Sequence, residues 1–161
     1  PRESYTDTLG YWKGINPSEN DRKNYHPIMF DVNNIKSIYP KRFHQLVKYC
    51  KKHSVELIVL QTPVAPRQLL DENRGDSHEW IKSLCESESV QFIDCNYLKK
   101  GLLPRLDNDY SDFYGHMLHP MAQRTTNLIC EVLSSEEQDN YFYGDYSDVL
   151  KNITDDKGAV K

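Results

Sequence analysis

Two hydrophobic periods organise the chain from Pro40 onward. Through "PKRFHQLVKYCKKH", Phe43, Leu46, Val47 and Cys50 recur at helical spacing. That spacing predicts an amphipathic helix with a basic outer face, and Pro40 suits its first position. In "VELIVLQTP" the run Val55 to Leu60 is rich in β-branched and aliphatic residues and closes at Pro63. Such a run predicts a central parallel strand covered on both faces. After the proline-punctuated loop "TPVAPRQLLDENRG", Trp80, Ile81, Leu84 and Cys85 share one side of a second helix, with Asp76 or Ser77 able to cap it. "SVQFIDCN" is a second strand signal. The long connection "YLKKGLLPRLDNDYSDFYGHMLHP" then leads to a third helix, opened by Pro120 and carrying Met121, Thr125, Leu128, Ile129, Val132 and Leu133.

Strands alternating with helices argue an α/β fold of three layers with a parallel sheet, and two clear strands are few for a whole sheet. The α/β region is assigned to 33–136. Residues 1–32, rich in Tyr, Asn, Asp and Pro and without a sustained period, read as an irregular arm with Trp12, Ile28 and Phe30 as docking points. Residues 137–161 form an acidic, tyrosine-rich tail with a short helix around Tyr146 to Asn152. The tail's aromatics suit packing on the domain, with a sugar-stacking surface as the alternative. Asn152-Ile153-Thr154 matches the N-glycosylation sequon, a three-residue pattern that arises often by chance.

Composition narrows the classes. The 161 residues carry a net charge of −4 with Lys and Arg scattered, which does not call for nucleic acid. No apolar run approaches the roughly 18 residues that span a bilayer, and the first residues lack the apolar core of a signal peptide. The expectation is a soluble chain. Its start at Pro1 without Met suggests a cut or processed product whose upstream sequence could hold an anchor or a catalytic block. Cys50, Cys85, Cys95 and Cys130 follow no metal spacing, and three fall on the apolar phase of candidate helices. They read as buried reduced thiols, which favours a reducing compartment such as the cytoplasm. No cofactor is called for.

The chemistry concentrates in "SDFYGHMLHP". A histidine acts as a general base near neutral pH when a carboxylate holds its other ring nitrogen. Asp112 is close enough to do this for His116 on a tight loop, and His119 competes for the role at the helix entrance. The same residues offer metal ligands, but a zinc site usually takes three or four and His-x-x-His in a loop is a weak signal. Either histidine can also merely pack at the helix start. "RGDS", Arg74 to Ser77, contains Gly-Asp-Ser, yet it begins a helix late in the order of elements. A nucleophile needs a fixed turn directly after a strand, so Asp76 and Ser77 read as caps.

Asp112, Phe113, Tyr114 and His116, with Ala122 and Thr126 following, resemble the last catalytic block of the SGNH (GDSL-like) hydrolase and O-acyltransferase superfamily. "FHQLVKYCKKHSVELIVLQTPVAP" and "VQFIDCN" look like the preceding helix, strand, proline loop and last strand, so the resemblance covers roughly 33–135. It implies an SGNH or flavodoxin-like sheet, incomplete here, acting on acyl esters or acylated carbohydrate, with a location at the cell envelope if an anchor lies upstream. By the same resemblance His116 is the base, Asp112 its partner and His119 the understudy. Asp112 stands four residues before His116 where the family has three. If His119 were the base instead, His116 would occupy the aspartate's position.

The resemblance implies a nucleophilic serine and oxyanion-hole Gly and Asn blocks ahead of residue 33, and none has a convincing counterpart in the chain. Three functions follow as expectations. The first is the C-terminal portion of an SGNH-like ester hydrolase or O-acyltransferase, inactive alone, whose serine comes from an upstream segment or a second chain. The second is a non-catalytic α/β binding domain degenerate at the triad, and the third a metal-dependent hydrolase using His116 and His119.

Overall fold

The structure, a computed structural model, describes the backbone of residues 5–6, 12–13 and 18–158 and the side chains of residues 18–153. Its elements are β1 (Tyr5–Thr6), β2 (Trp12–Lys13), α1 (Glu19–Lys23), α2 (Ile38–Lys52), β3 (Ile58–Gln61), α3 (Pro66–Asp71), α4 (Arg74–Ser87), β4 (Gln91–Asp94), α5 (His119–Ser134) and α6 (Tyr146–Gly158). β1 and β2 form a small antiparallel pair. β3 and β4 run parallel, in register from Ile58 opposite Gln91 to Gln61 opposite Asp94, with α4 as their crossover.

The helices that feed these strands end alike. Ser54 and Ser89 take φ of 54° and 52°, and the next residue's N–H reaches back, Val55 to the Cys50 carbonyl and Val90 to that of Cys85, at 2.9 Å each. This left-handed closure satisfies last-turn carbonyls and turns the chain out of the helix. A Ser-Val pair stands at both places, where a glycine would carry less strain.

Four expectations change. β3 is not a strand covered on both faces: among the described residues it pairs with β4 alone, and Leu60 is 42% and Val55 54% exposed. The α/β character holds, with a sheet of two parallel strands. α2 starts two residues before Pro40, which falls inside the first turn where a missing N–H leaves no bond unmade. α4 starts at Arg74 behind Asn73, so Asp76 and Ser77 lie inside the helix; the Ser77 hydroxyl donates back to the Arg74 carbonyl at 2.9 Å. Cys130 is exposed on α5, whereas Cys50, Cys85 and Cys95 are buried free thiols.

The arm docks, in part through an expected group. Phe30 packs against Trp80 with tilted rings, centroids 6.1 Å apart, and its N–H donates to Asn73 at 2.6 Å. The Ile28 side chain is exposed, and the Trp12 side chain lies outside the described residues. Arg22 and Tyr25 do most of the anchoring instead, as described below.

Ala65, Ile93, Leu98, Tyr110, Met121 and Val132 form the main core between the strands and α5. A second cluster, including Val64, Leu69, Tyr97, Val149 and Ile153, seats α6 against α3. The tail therefore packs as part of the domain. The Tyr143 N–H donates to the Tyr97 carbonyl at 2.8 Å, and the Tyr146 hydroxyl donates to that of Leu69 at 2.8 Å.

Several buried acids are held protonated. Burial pushes the Cys95 thiol and the Tyr146 phenol up to about 12, and raises Tyr25, Tyr97 and Tyr110 as well. In the unfolded chain these groups ionise near 9.0 for Cys and 10.0 for Tyr. Above those values the unfolded state binds fewer protons than the folded one, so stability falls as pH rises. The expected result is a urea midpoint that declines from pH ~9 and drops more steeply above ~10. A midpoint flat to pH 11 would show that these groups are solvated in the folded protein.

Candidate functional site: an Asp-His loop at the carboxyl end of the strands

The loop before α5 is built mostly from backbone bonds. Tyr110 pairs with Met117 as an antiparallel bridge; the Ser111 N–H donates to the His116 carbonyl at 2.8 Å, and the Leu118 N–H to that of Asp109 at 2.8 Å. These closures hold residues 111–116 as a tight turn. Gly115 takes φ of +93°, a conformation that disfavours a side chain.

Inside the turn, Asp112 is held by its neighbours. Its Oδ1 accepts the Tyr114 N–H at 2.8 Å and the His116 N–H at 3.4 Å, and its Oδ2 faces His116 Nδ1 at 2.7 Å. The Asp112 side chain is 11% exposed and that of His116 65%. The carboxylate is thus sheltered while the imidazole reaches outward. Because a carboxylate only accepts, Nδ1 carries the proton in the neutral ring and Nε2 is left as the acceptor. The separation of four residues is no obstacle, since Gly115 lets the turn bring the ring back to the carboxylate.

The arm clamps this turn from outside. The Ser18 N–H donates to the Ser111 carbonyl at 2.6 Å, and Arg22 donates to the carbonyls of Asp107 and Tyr110 at 2.5 and 2.6 Å. The Arg22 guanidinium also lies 5.2 Å over the Phe113 ring, against which Tyr25 packs edge-on at 5.3 Å. Arg22 and Tyr25 are thus positioning residues that periodicity could not flag, because their partners lie 85 or more positions away.

The turn sits beside the segment leaving β3. A Cβ on Gly115 would be 3.8 Å from Val64, three residues past that strand. Asn96, just past β4, ties the two strand ends together: its Oδ1 accepts the Val64 N–H at 2.9 Å while its Nδ2 donates to Asp94 at 2.8 Å. Carboxyl ends of parallel strands are where open α/β sheets place their chemistry.

His119 is the first residue of α5 and half-buried. The Asp112 carboxylate is placed against the His116 ring and the backbone of the 114–116 turn. Among the described residues no group of three His, Cys, Asp or Glu side chains is placed to hold a metal ion, which leaves the metal-dependent alternative without a ligand set there.

Two constellations escaped the sequence reading. His78 Nδ1 lies 2.8 Å from Asp94 Oδ2, a second histidine-carboxylate pair joining α4 to the end of β4. Glu72, with a side chain 1% exposed, collects Tyr25, Ile28, Gln68 and Arg74. Only the Asp-x-Asn spacing of Asp94 and Asn96, a local turn signal, was available to find the first. The sequence matches no family model, no curated protein and no solved structure.

Proposed function

We propose that this chain is the C-terminal portion of an SGNH-like ester hydrolase or O-acyltransferase, of three-layer flavodoxin-like architecture when complete, acting on acyl esters or acylated carbohydrate. The observation that carries the reading is the 2.7 Å contact between His116 Nδ1 and Asp112 Oδ2 beside the carboxyl end of β3. In this reading His116 Nε2 takes the proton of a serine hydroxyl as that oxygen attacks the acyl carbon, then returns it to the leaving alcohol. Asp112 stabilises the imidazolium formed in between. The serine comes from another segment or a second chain, because Ser77 is a helical residue bonded to its own backbone. The uncovered face of β3, with Leu60 at 42%, fits a further layer packed on the sheet.

Fluorophosphonate labelling with peptide mapping tests this on the chain and on the longest form of the protein its gene encodes. A labelled serine outside α4 is expected in the longer form. His116→Ala should slow labelling about 100-fold or more, the usual contribution of a positioned base, while His119→Ala should label normally. Labelling of Ser77, or of no serine in folded protein, would overturn the assignment. The second outcome would favour the other reading, a non-catalytic α/β binding domain, which draws support from the confinement of the only Gly-Asp-Ser sequence to α4.

A further inference from the structure

A cleft of about 360 Å³ lies between α4, β4 and the segment 138–144. Val90 through Asp94 all line it. Their side chains alternate between the two faces of the sheet, so the cleft runs along the outer edge of β4 rather than over one face. His78, Lys82 and Glu86 contribute from α4, and Gln138, Phe142 and Tyr143 from the opposite wall.

His78 is unusually well held within it. Asp94 Oδ1 accepts both the backbone N–H and the side-chain amide of Asn96 at 2.8 Å, which turns Oδ2 toward His78 Nδ1 at 2.8 Å. The Asp94 side chain is 2% exposed and that of His78 12%. Tyr97 stacks on the imidazole with centroids 3.9 Å apart and planes 24° apart, and Phe92 packs at 5.3 Å. Ring position and tautomer are both fixed: Nδ1–H points to Asp94 and Nε2 remains an acceptor, with Glu79 4.0 Å away and largely exposed. A purely structural buried pair would not need a cleft beside it, nor a ring clamped against rotation.

The remaining lining sets the ligand class. Aromatic rings supply flat apolar faces, and side-chain amides and carboxylates supply hydrogen-bonding edges. Glu86, Asp139 and Asp94 outnumber Lys82, so the field does not select an anion. The lining is divided almost evenly between apolar and polar groups, which suits a small molecule with both apolar faces and hydroxyls. We propose that this cleft is a saccharide-binding site, in which ring C–H faces stack on the aromatic wall and His78 Nε2 accepts a hydrogen bond from a sugar hydroxyl. It deepens the proposed function by giving the carbohydrate a place to sit, but it rests on residues separate from the Asp112–His116 turn.

Titration of the chain with chitotetraose and maltotetraose, followed by ¹H–¹⁵N spectra including the long-range histidine correlations, tests the assignment. In the free protein His78 is expected as the Nδ1–H tautomer. One of the two saccharides should shift the His78 Nε2 resonance and the amides of Phe142 and Tyr143. His78→Gln should weaken binding at least 10-fold. Because that variant unpairs a buried carboxylate, Glu86→Ala on the exposed rim serves as a fold-neutral companion, and it too should weaken binding several-fold. Lys48→Ala, on the exposed face of α2, should bind as the parent does, and the titration needs no labelled serine, so its outcome is read independently of the labelling chemistry above. No shift with either saccharide, or equal binding by the parent and both cleft variants, would overturn the proposal.

Discussion

Glu72→Ala is expected to cost about 3 kcal/mol of stability, the lower end of what breaking a buried ion pair costs, and to release the arm from the domain. Glu72 follows α3 and is almost fully enclosed, yet its carboxylate has a donor on every side. The Tyr25 hydroxyl donates at 2.9 Å, the Ile28 N–H at 3.1 Å, and Arg74 approaches Oε2 to 2.6 Å, with the Gln68 amide at 3.3 Å. Removing the carboxylate leaves these donors without their acceptor in a site that admits little water, and each such loss costs more than the bond contributes when made. Urea denaturation measures the loss, and hydrogen exchange at residues 25–30 should rise by more than the global change accounts for. A midpoint within about 0.5 kcal/mol of the parent's, the range typical of surface substitutions, would mean that the arm is held by its aromatic contacts alone.

Tyr110→Ala should be at least as severe, about 3–5 kcal/mol by analogy with other buried aromatic truncations. Tyr110 is 0% exposed in the main core, its carbonyl accepts from Arg22 at 2.6 Å, and its backbone pairs with Met117. It is the point at which the functional turn is anchored to the hydrophobic core. Loosening it should separate Asp112 from His116 before the rest of the chain unfolds. The check is a His116 nitrogen spectrum taken well below the melting temperature: the parent shows a single Nδ1–H tautomer, and the variant a mixture. A variant destabilised by several kcal/mol that kept one tautomer would show that the turn is held by its internal bonds and the Arg22 clamp, independently of the core.

The parallel pair β3–β4, the three long helices and the helix within the tail are all visible in the hydrophobic period, because each buries one stripe or one run of side chains against its nearest neighbours in the chain. Asp112 with His116 was visible for a related reason. Both ends of that hydrogen bond lie in one six-residue turn, so sequence spacing was nearly a distance. Boundaries fared less well. Pro40 and the Asp76–Ser77 pair mark helix starts by sequence, but a helix tolerates proline anywhere in its first turn and accepts Asn73 as a cap without a side-chain bond. The strand "VELIVL" differs in the opposite direction: its aliphatic run suits a site covered on both faces, and Leu60 of β3 is 42% exposed.

Periodicity and turns of a few residues carry the β3–β4 pair, α2, α4, α5, the helix in the tail, the α/β class and a turn joining Asp112 to a nearby histidine, whereas α1 and α3 fall in segments that read as an irregular arm and a loop. Packing between distant segments decides that Arg22 clamps the turn from 85 or more residues away, that Glu72 gathers the arm, and that His78 meets Asp94 beside a cleft. Each of those depends on where a crossover helix or a long connection returns. A single chain's hydrophobic pattern records that a face is buried, and carries no information about which distant polar group the fold will bring to it.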